Sequence, residues 1–165
     1  MADPPDRKFG FVSYAHDDAK MFRTFRKHLA ALESWYPIGF WTDQEILAGE
    51  NSEAKIEQAI ANAAFYLLIL SPYFVASEFI RDRELPAIRT RHAAGVPVVP
   101  VKLRACISDH VWPGLETVPT SPAKRVVAID KWRPINDGYH TANTQIARAL
   151  EGLLKLRPVA SGKSP

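Results

Sequence analysis

The chain has 165 residues, 47% of them hydrophobic and 24% charged, the size and balance of one globular domain with a single core. Its net charge of +3 is spread along the sequence, which describes a solvated surface rather than a nucleic-acid-binding stripe, and no apolar run approaches the ~18 residues of a membrane span. A single cysteine, Cys106, leaves no intramolecular disulfide and no cysteine-rich zinc site.

Residues 1–7 read as a disordered polar start without the apolar core of a signal peptide, which predicts a cytoplasmic protein. Lys8 to Tyr14 (KFGFVSY) has the aromatic and β-branched content of a strand, ended by Ser13-Tyr14. His16-Asp17-Asp18 then places acids where a helix N-terminus favours them. Phe22, Phe25, Leu29 and Leu32 recur at helical spacing, predicting an amphipathic helix to about Glu33. Trp35 to Pro37 turns the chain into a short strand, Ile38 to Trp41, which ends at Thr42-Asp43 before a loop containing Gly49. Asn51 or Ser52 caps the next helix, whose Ile56, Ala59, Ile60 and Ala63 share one face.

Phe65 to Leu70 (FYLLIL) stops abruptly at Ser71-Pro72. Six apolar residues without alternation fit a strand covered on both faces, although periodicity alone does not separate it from a buried helical segment. Ligands of open parallel sheets sit beyond the carboxyl ends of the strands, which makes Ser71, Ser77 and Glu84 candidates for chemistry. Ser77 caps a helix carrying Ile80, Arg81 and Glu84. Pro86 removes the amide that would bond to Asp82 and disfavours helical geometry at Leu85. Glu84 is therefore expected at a kink or break, with Pro86 in the first turn of a segment reaching His92.

Gly95 closes that segment, and Val96 to Val101 (VPVVPV) reads as a strand whose prolines, three apart, predict short or irregular pairing. Ala105 to Ala123 is a proline-rich loop with one helical turn. Arg125 to Ile129 (RVVAI) predicts a fifth strand, followed by Asp130-Lys131-Trp132. Ile146, Leu150, Leu153 and Leu154 form the stripe of a final helix after the polar Asn136 to Asn143 region. Residues 157–165 read as a flexible tail or linker.

Strands alternating with helices predict an α/β fold, a flavodoxin-like, doubly wound, five-stranded parallel sheet in the order 2-1-3-4-5 with helices on both faces. Its strand ends would bring Ser13, Tyr14, His16, Asp43, Ser71 and the Ser77 to Glu84 helix to one crevice, with Asp130 at the margin. Each residue has a plainer reading beside this one. Glu84 could be a solvated or cap-forming residue, Asp43 a strand end, Tyr14 and Trp41 core packing, and Ser71 and Ser77 turn and cap residues. Cys106 and His110 stand four apart without companion ligands, so no metal site is expected. Ser71 at the end of the third strand excludes a phosphoacceptor receiver, and no glycine-rich phosphate loop, G-x-S-x-G or H-E-x-x-H occurs.

The order of these motifs resembles a TIR domain, the Toll/interleukin-1 receptor type, and especially its bacterial members. FVSYAHDD resembles the family's first box. FWTDQEILAGENSEAKIEQAI resembles its second strand, BB loop and following helix, and LLILSPYFVASEFIRDREL its third strand and helix. WRPINDG and the last helix fit the C-terminal part, so the domain is expected over residues 8–156. The resemblance implies two functions of different classes. Some TIR domains cleave the nicotinamide–ribose bond of NAD, giving ADP-ribose or a cyclic isomer, in bacterial immunity or virulence. Others are signalling scaffolds or mimics of host TIR domains.

The enzymes use a glutamate in the helix after the third strand, which matches Glu84. By the same resemblance Ser13 and Tyr14 lie at the nucleotide crevice, Asp43 and Gly49 belong to the BB loop, and Ser71 and Ser77 stand at the strand end and helix start. Ile80 occupies a position where several NAD-cleaving members carry tryptophan, and Phe79 is the aromatic neighbour that would compensate. NAD is then a substrate and no cofactor is implied. The resemblance further implies self-association through the BB loop and partnership with a sensor domain or other TIR proteins, while the spread charge and the lack of a long apolar run lead to neither nucleic acid nor membrane being expected as a partner.

Overall fold

The computed structural model describes residues 6–159, and the expected 1–5 and 160–165 parts of the two terminal segments lie outside that range. Its frame is a parallel sheet of β1 (Lys8–Ser13), β2 (Ile38–Trp41), β3 (Phe65–Leu70) and β4 (Val98–Lys102) in the order β2-β1-β3-β4. Every residue of β3 is buried, as an unalternating apolar strand at the centre of a two-sided sheet requires. Gly10 of β1 is opposite Phe65, whose ring lies 2.1 Å from where a Cβ would stand.

One face of the sheet is covered by α1 (Ala19–Trp35) and α5 (Ile135–Leu154), through Phe22, Phe25 and Leu29 of the first and Ile146 and Leu150 of the second. The other face is covered by α2 (Ser52–Asn62), α3 (Pro72–Ala76) and α4 (Leu85–Ala93), through Ile56, Ile60, Phe74 and Ile88. Asn51 caps α2 by accepting from the amide of Ala54 at 3.0 Å.

Between α3 and α4 the chain makes a π-helical turn, Ile80–Glu84, in which the amide of Leu85 bonds to the carbonyl of Ile80. The expected kink is thus a widening. Pro86, in the first turn of α4, offers no amide to Asp82, and a five-residue turn accommodates that loss while the rod continues.

Among the described residues the sheet has four strands, not the five expected. The outer edge of β4 is taken by Val118, whose amide bonds to Pro100 (3.0 Å) and whose carbonyl accepts from Lys102 (2.7 Å). Arg125 to Ile129 instead folds back on the preceding segment, with a single antiparallel bridge from Val126 to Thr120. Ala128 and Ile129 are buried by packing rather than by pairing.

The prolines of β4 do not shorten its pairing with β3, which runs unbroken from Tyr66–Val98 to Leu70–Lys102. Pro97 precedes the strand, and Pro100 directs its missing amide to the outer edge, where a proline is tolerated. The final helix begins at Ile135, earlier than its apolar stripe suggested, because Gly138, Tyr139 and Ala142 are also buried. Leu153 is 56% exposed, and it is Leu154 that continues the stripe into the core. Of the expected tail, Val159 is held by its amide on the carbonyl of Trp35 at 2.7 Å.

Candidate functional site

The carboxyl ends of β1, β2 and β3 open into a crevice of about 730 Å³, the place where open α/β sheets bind ligands. Tyr14, Asp43, Ser77, Phe79, Ile80 and Glu84 line it together. Ser13 stands just beneath. It is the last residue of β1, is buried, and its hydroxyl donates to Oε1 of Glu84 at 2.6 Å.

Glu84 is 7% exposed. Burial pushes its carboxyl up to about 7; the Ser13 hydrogen bond opposes this, the negative charge of Asp43 adds to it and His16 counters it weakly. A carboxyl poised near neutrality at the floor of a crevice has the perturbation expected of a functional group.

Asp43 starts the short 3-10 turn after β2, where Thr42 fixes the entry by accepting from the amide of Gln44. One of its oxygens pairs with the exposed ring of His16. Its Oδ1 is buried and has no hydrogen-bond partner among the described residues. Tyr14 stacks on Phe22 with ring centroids 4.0 Å apart, and burial, then the Asp43 charge, drives its phenol well above the usual range. Tyr14 is therefore both core packing and crevice wall, and it stays neutral.

The remaining candidates divide. Ser77 lines the crevice, and its Oγ accepts from the amide of Ile80 at 3.3 Å. Ile80 is buried in the core beside α4, whereas Phe79 is 39% exposed at the rim. Gly49 lies outside the crevice lining. With φ at +90° it makes the turn of the loop between the 3-10 turn and α2, a backbone position that glycine suits.

Ser71 is fully buried and does not reach the crevice; it caps α3 through the amide of Phe74 at 3.0 Å and donates to Asp18. Asp130, expected at the margin, is also outside the lining and bonds through its amide to Leu103. Trp41 stacks on Phe11 with centroids 5.5 Å apart.

Sequence reasoning missed two features. Tyr73, directly after the proline of α3, projects half-exposed into the crevice. Asp18 is not a solvated helix-end acid: it is fully buried and accepts from Nε of Arg104 at 2.9 Å and from Ser71, tying β1, β3 and β4 together at their carboxyl ends. The adjacent acids Asp17 and Asp18 look alike in the sequence, and only the long-range pairing of Asp18 with Arg104 and Ser71 distinguishes them. Among the described residues no group of three or more His, Cys, Asp or Glu side chains is placed to hold a metal ion, and no helix is long and apolar enough to cross a membrane.

The model of the TIR domain family matches residues 11–150. A curated relative, the uncharacterized protein y4lF of Sinorhizobium fredii, is 32% identical over 142 residues, which cover 85% of this chain and 42% of that protein. The chain therefore spans about two fifths of the length of the relative it matches.

Proposed function

The chain belongs to the TIR domain family, and from that membership we propose that it cleaves the nicotinamide–ribose bond of NAD, with Glu84 as the catalytic residue. The observation that carries this reading is the buried Glu84 carboxylate, bonded to Ser13, at the floor of the crevice.

Nicotinamide departs from a cationic glycoside as a neutral molecule, so the leaving group requires no general acid. The C1′–N bond breaks with its electron pair going to nicotinamide, and the ribose acquires oxocarbenium character. A desolvated carboxylate beside the ring stabilises that charge more strongly than a solvated one. The positive nicotinamide riboside in turn favours the ionised form of Glu84, offsetting the burial that raises its pKa. Attack by water at C1′, with loss of its proton, gives ADP-ribose, and attack by a nucleophilic atom of the adenosine half gives a cyclic product. Asp43, with its unpartnered oxygen, accepts from a ligand hydroxyl, and Tyr14, Ser77 and Phe79 shape the pocket.

Activity in this reading is controlled by self-association through the BB loop, residues 43–51, and takes place in the cytoplasm. In this reading the trigger for assembly is a sensor domain or another TIR protein. The domain boundaries proposed are residues 8–156 for the TIR unit and 157–165 for the tail. A second reading, a non-catalytic TIR interaction module, is favoured by one observation: Ile80 is buried and supplies no ring over the nicotinamide.

NAD consumption by the wild type and by Glu84→Gln at high protein concentration, with products identified by chromatography and mass, separates the two. The enzyme releases nicotinamide and the variant does not, while both assemble. Absence of release from an assembled wild type would favour the interaction module.

A further inference from the structure

The crevice is acidic. Asp17, Asp43 and Glu84 line it, His16 is committed to Asp43, and neither lysine nor arginine is among its walls. Such a pocket suits the cationic nicotinamide riboside and repels a diphosphate.

Beside it lies a second, mostly apolar groove of about 280 Å³, between α2 and the rod that runs from Phe79 through the π turn into α4. Its far wall is a helical stripe of Phe79, Arg83, Ala87 and Thr90, and its near wall carries Ile56, Glu57 and Ile60 of α2. Ile56 and Phe79 belong to both cavities, so the two share a wall. Arg83 makes no hydrogen bond or ion pair among the described residues, and the neighbouring Asp82 is paired with Arg81. Arg91, at the other end, is engaged with the Tyr66 hydroxyl (3.2 Å) and the Ala63 carbonyl (2.7 Å).

We propose that this groove takes the adenosine half of the dinucleotide, with Arg83 pairing with the diphosphate as it leaves the acidic crevice. The proposal rests on the NAD reading of the crevice. The apolar floor and the Phe79 ring accept the face of the base, and the carboxylates of Glu53 and Glu57 accept from ribose hydroxyls or the exocyclic amine. Arg83 supplies the cation that the crevice lacks. The two ends of one ligand are thus sorted by charge across a shared wall.

The test uses the full chain carrying Glu84→Gln, so that nothing turns over, with AMP as the probe and backbone amide shifts as the readout. AMP binds with shifts centred on Glu57, Ala61, Arg83 and Ala87, and Arg83→Ala weakens it about tenfold. Ala87→Trp, which fills the groove, weakens AMP about tenfold more than nicotinamide mononucleotide, a probe without the adenosine half. No AMP binding, shifts confined to the surroundings of Tyr14 and Asp43, or equal losses for both probes from Ala87→Trp would overturn the proposal. These are binding measurements, so they read the groove apart from the chemistry. AMP seated in the groove of a wild-type chain that releases no nicotinamide would keep the nucleotide site and reject cleavage.

Discussion

The Ser13 hydroxyl donates to Glu84 at 2.6 Å across 71 residues of sequence, joining the end of β1 to the last residue of the π turn. This bond is the one interaction within hydrogen-bonding distance that favours the charged form of a carboxyl that burial otherwise keeps protonated. Ser13→Ala removes it, so the Glu84 pKa rises further. If ionised Glu84 is the catalytic form, kcat/KM for nicotinamide release, which reports the free site, increases as pH passes through about 7 in the wild type, and the midpoint moves to higher pH in the variant. An unchanged midpoint would mean that Glu84 is not the group that titrates.

The same carboxyl makes a pH-dependent contribution to stability. Its folded pKa, about 7, is above the ordinary value of 4.5, so the folded state binds the proton more tightly. The cost of ionising it is absent below pH 4.5, grows between 4.5 and 7 and is complete above 7, where it amounts to about 3 kcal/mol. Glu84→Gln should therefore raise Tm more at pH 8 than at pH 5, even though the proposed reaction would be lost. Equal Tm shifts at the two pH values would reject a buried, neutral carboxyl.

Arg104→Leu leaves Asp18 buried with only Ser71 as partner. Arg104 is about one-third exposed, so solvent softens the loss, and a destabilisation of about 2 kcal/mol is expected from the urea midpoint. The crevice should loosen as well, because Ser71 starts α3 and Tyr73 and Ala76 of α3 line it.

Gly10→Ala introduces a methyl group where the Phe65 ring already stands. The ring is fully buried and has to shift within the core to admit the methyl group, so overpacking should cost about 2 kcal/mol, read as a lower denaturation midpoint.

Much of the frame was legible because local chemistry and tertiary outcome agreed. β2 and β3 have the bounds their composition suggests, and Asn51 caps α2 as its position before the helix implies. Disagreement arose where a partner from elsewhere in the chain decided the outcome. Arg125 to Ile129 has strand composition, but Val118 already holds the edge it would need. Asp18 reads as a helix-end acid until Arg104 is brought to it from 86 residues away. At the crevice, Tyr14, Asp43, Ser77, Phe79, Ile80 and Glu84 were anticipated together, whereas Ser71 and Gly49 follow the plainer logic of a cap and a turn.

The widened turn before Pro86 also sets a phase. An α-helix advances about 100° per residue, and a π turn, with more residues per turn, advances less, so the bulge brings the directions of neighbours such as Glu84 and Leu85 closer together. Both are buried, the carboxylate at the crevice and the leucine in the core. A residue at position 86 with an amide, as in Pro86→Ala, would let the rod tighten to α-helical pitch, and the carboxylate and the leucine would then swing further apart. The proline thus acts as a timing element. It lets a single rod anchor the domain and arm its crevice at consecutive positions.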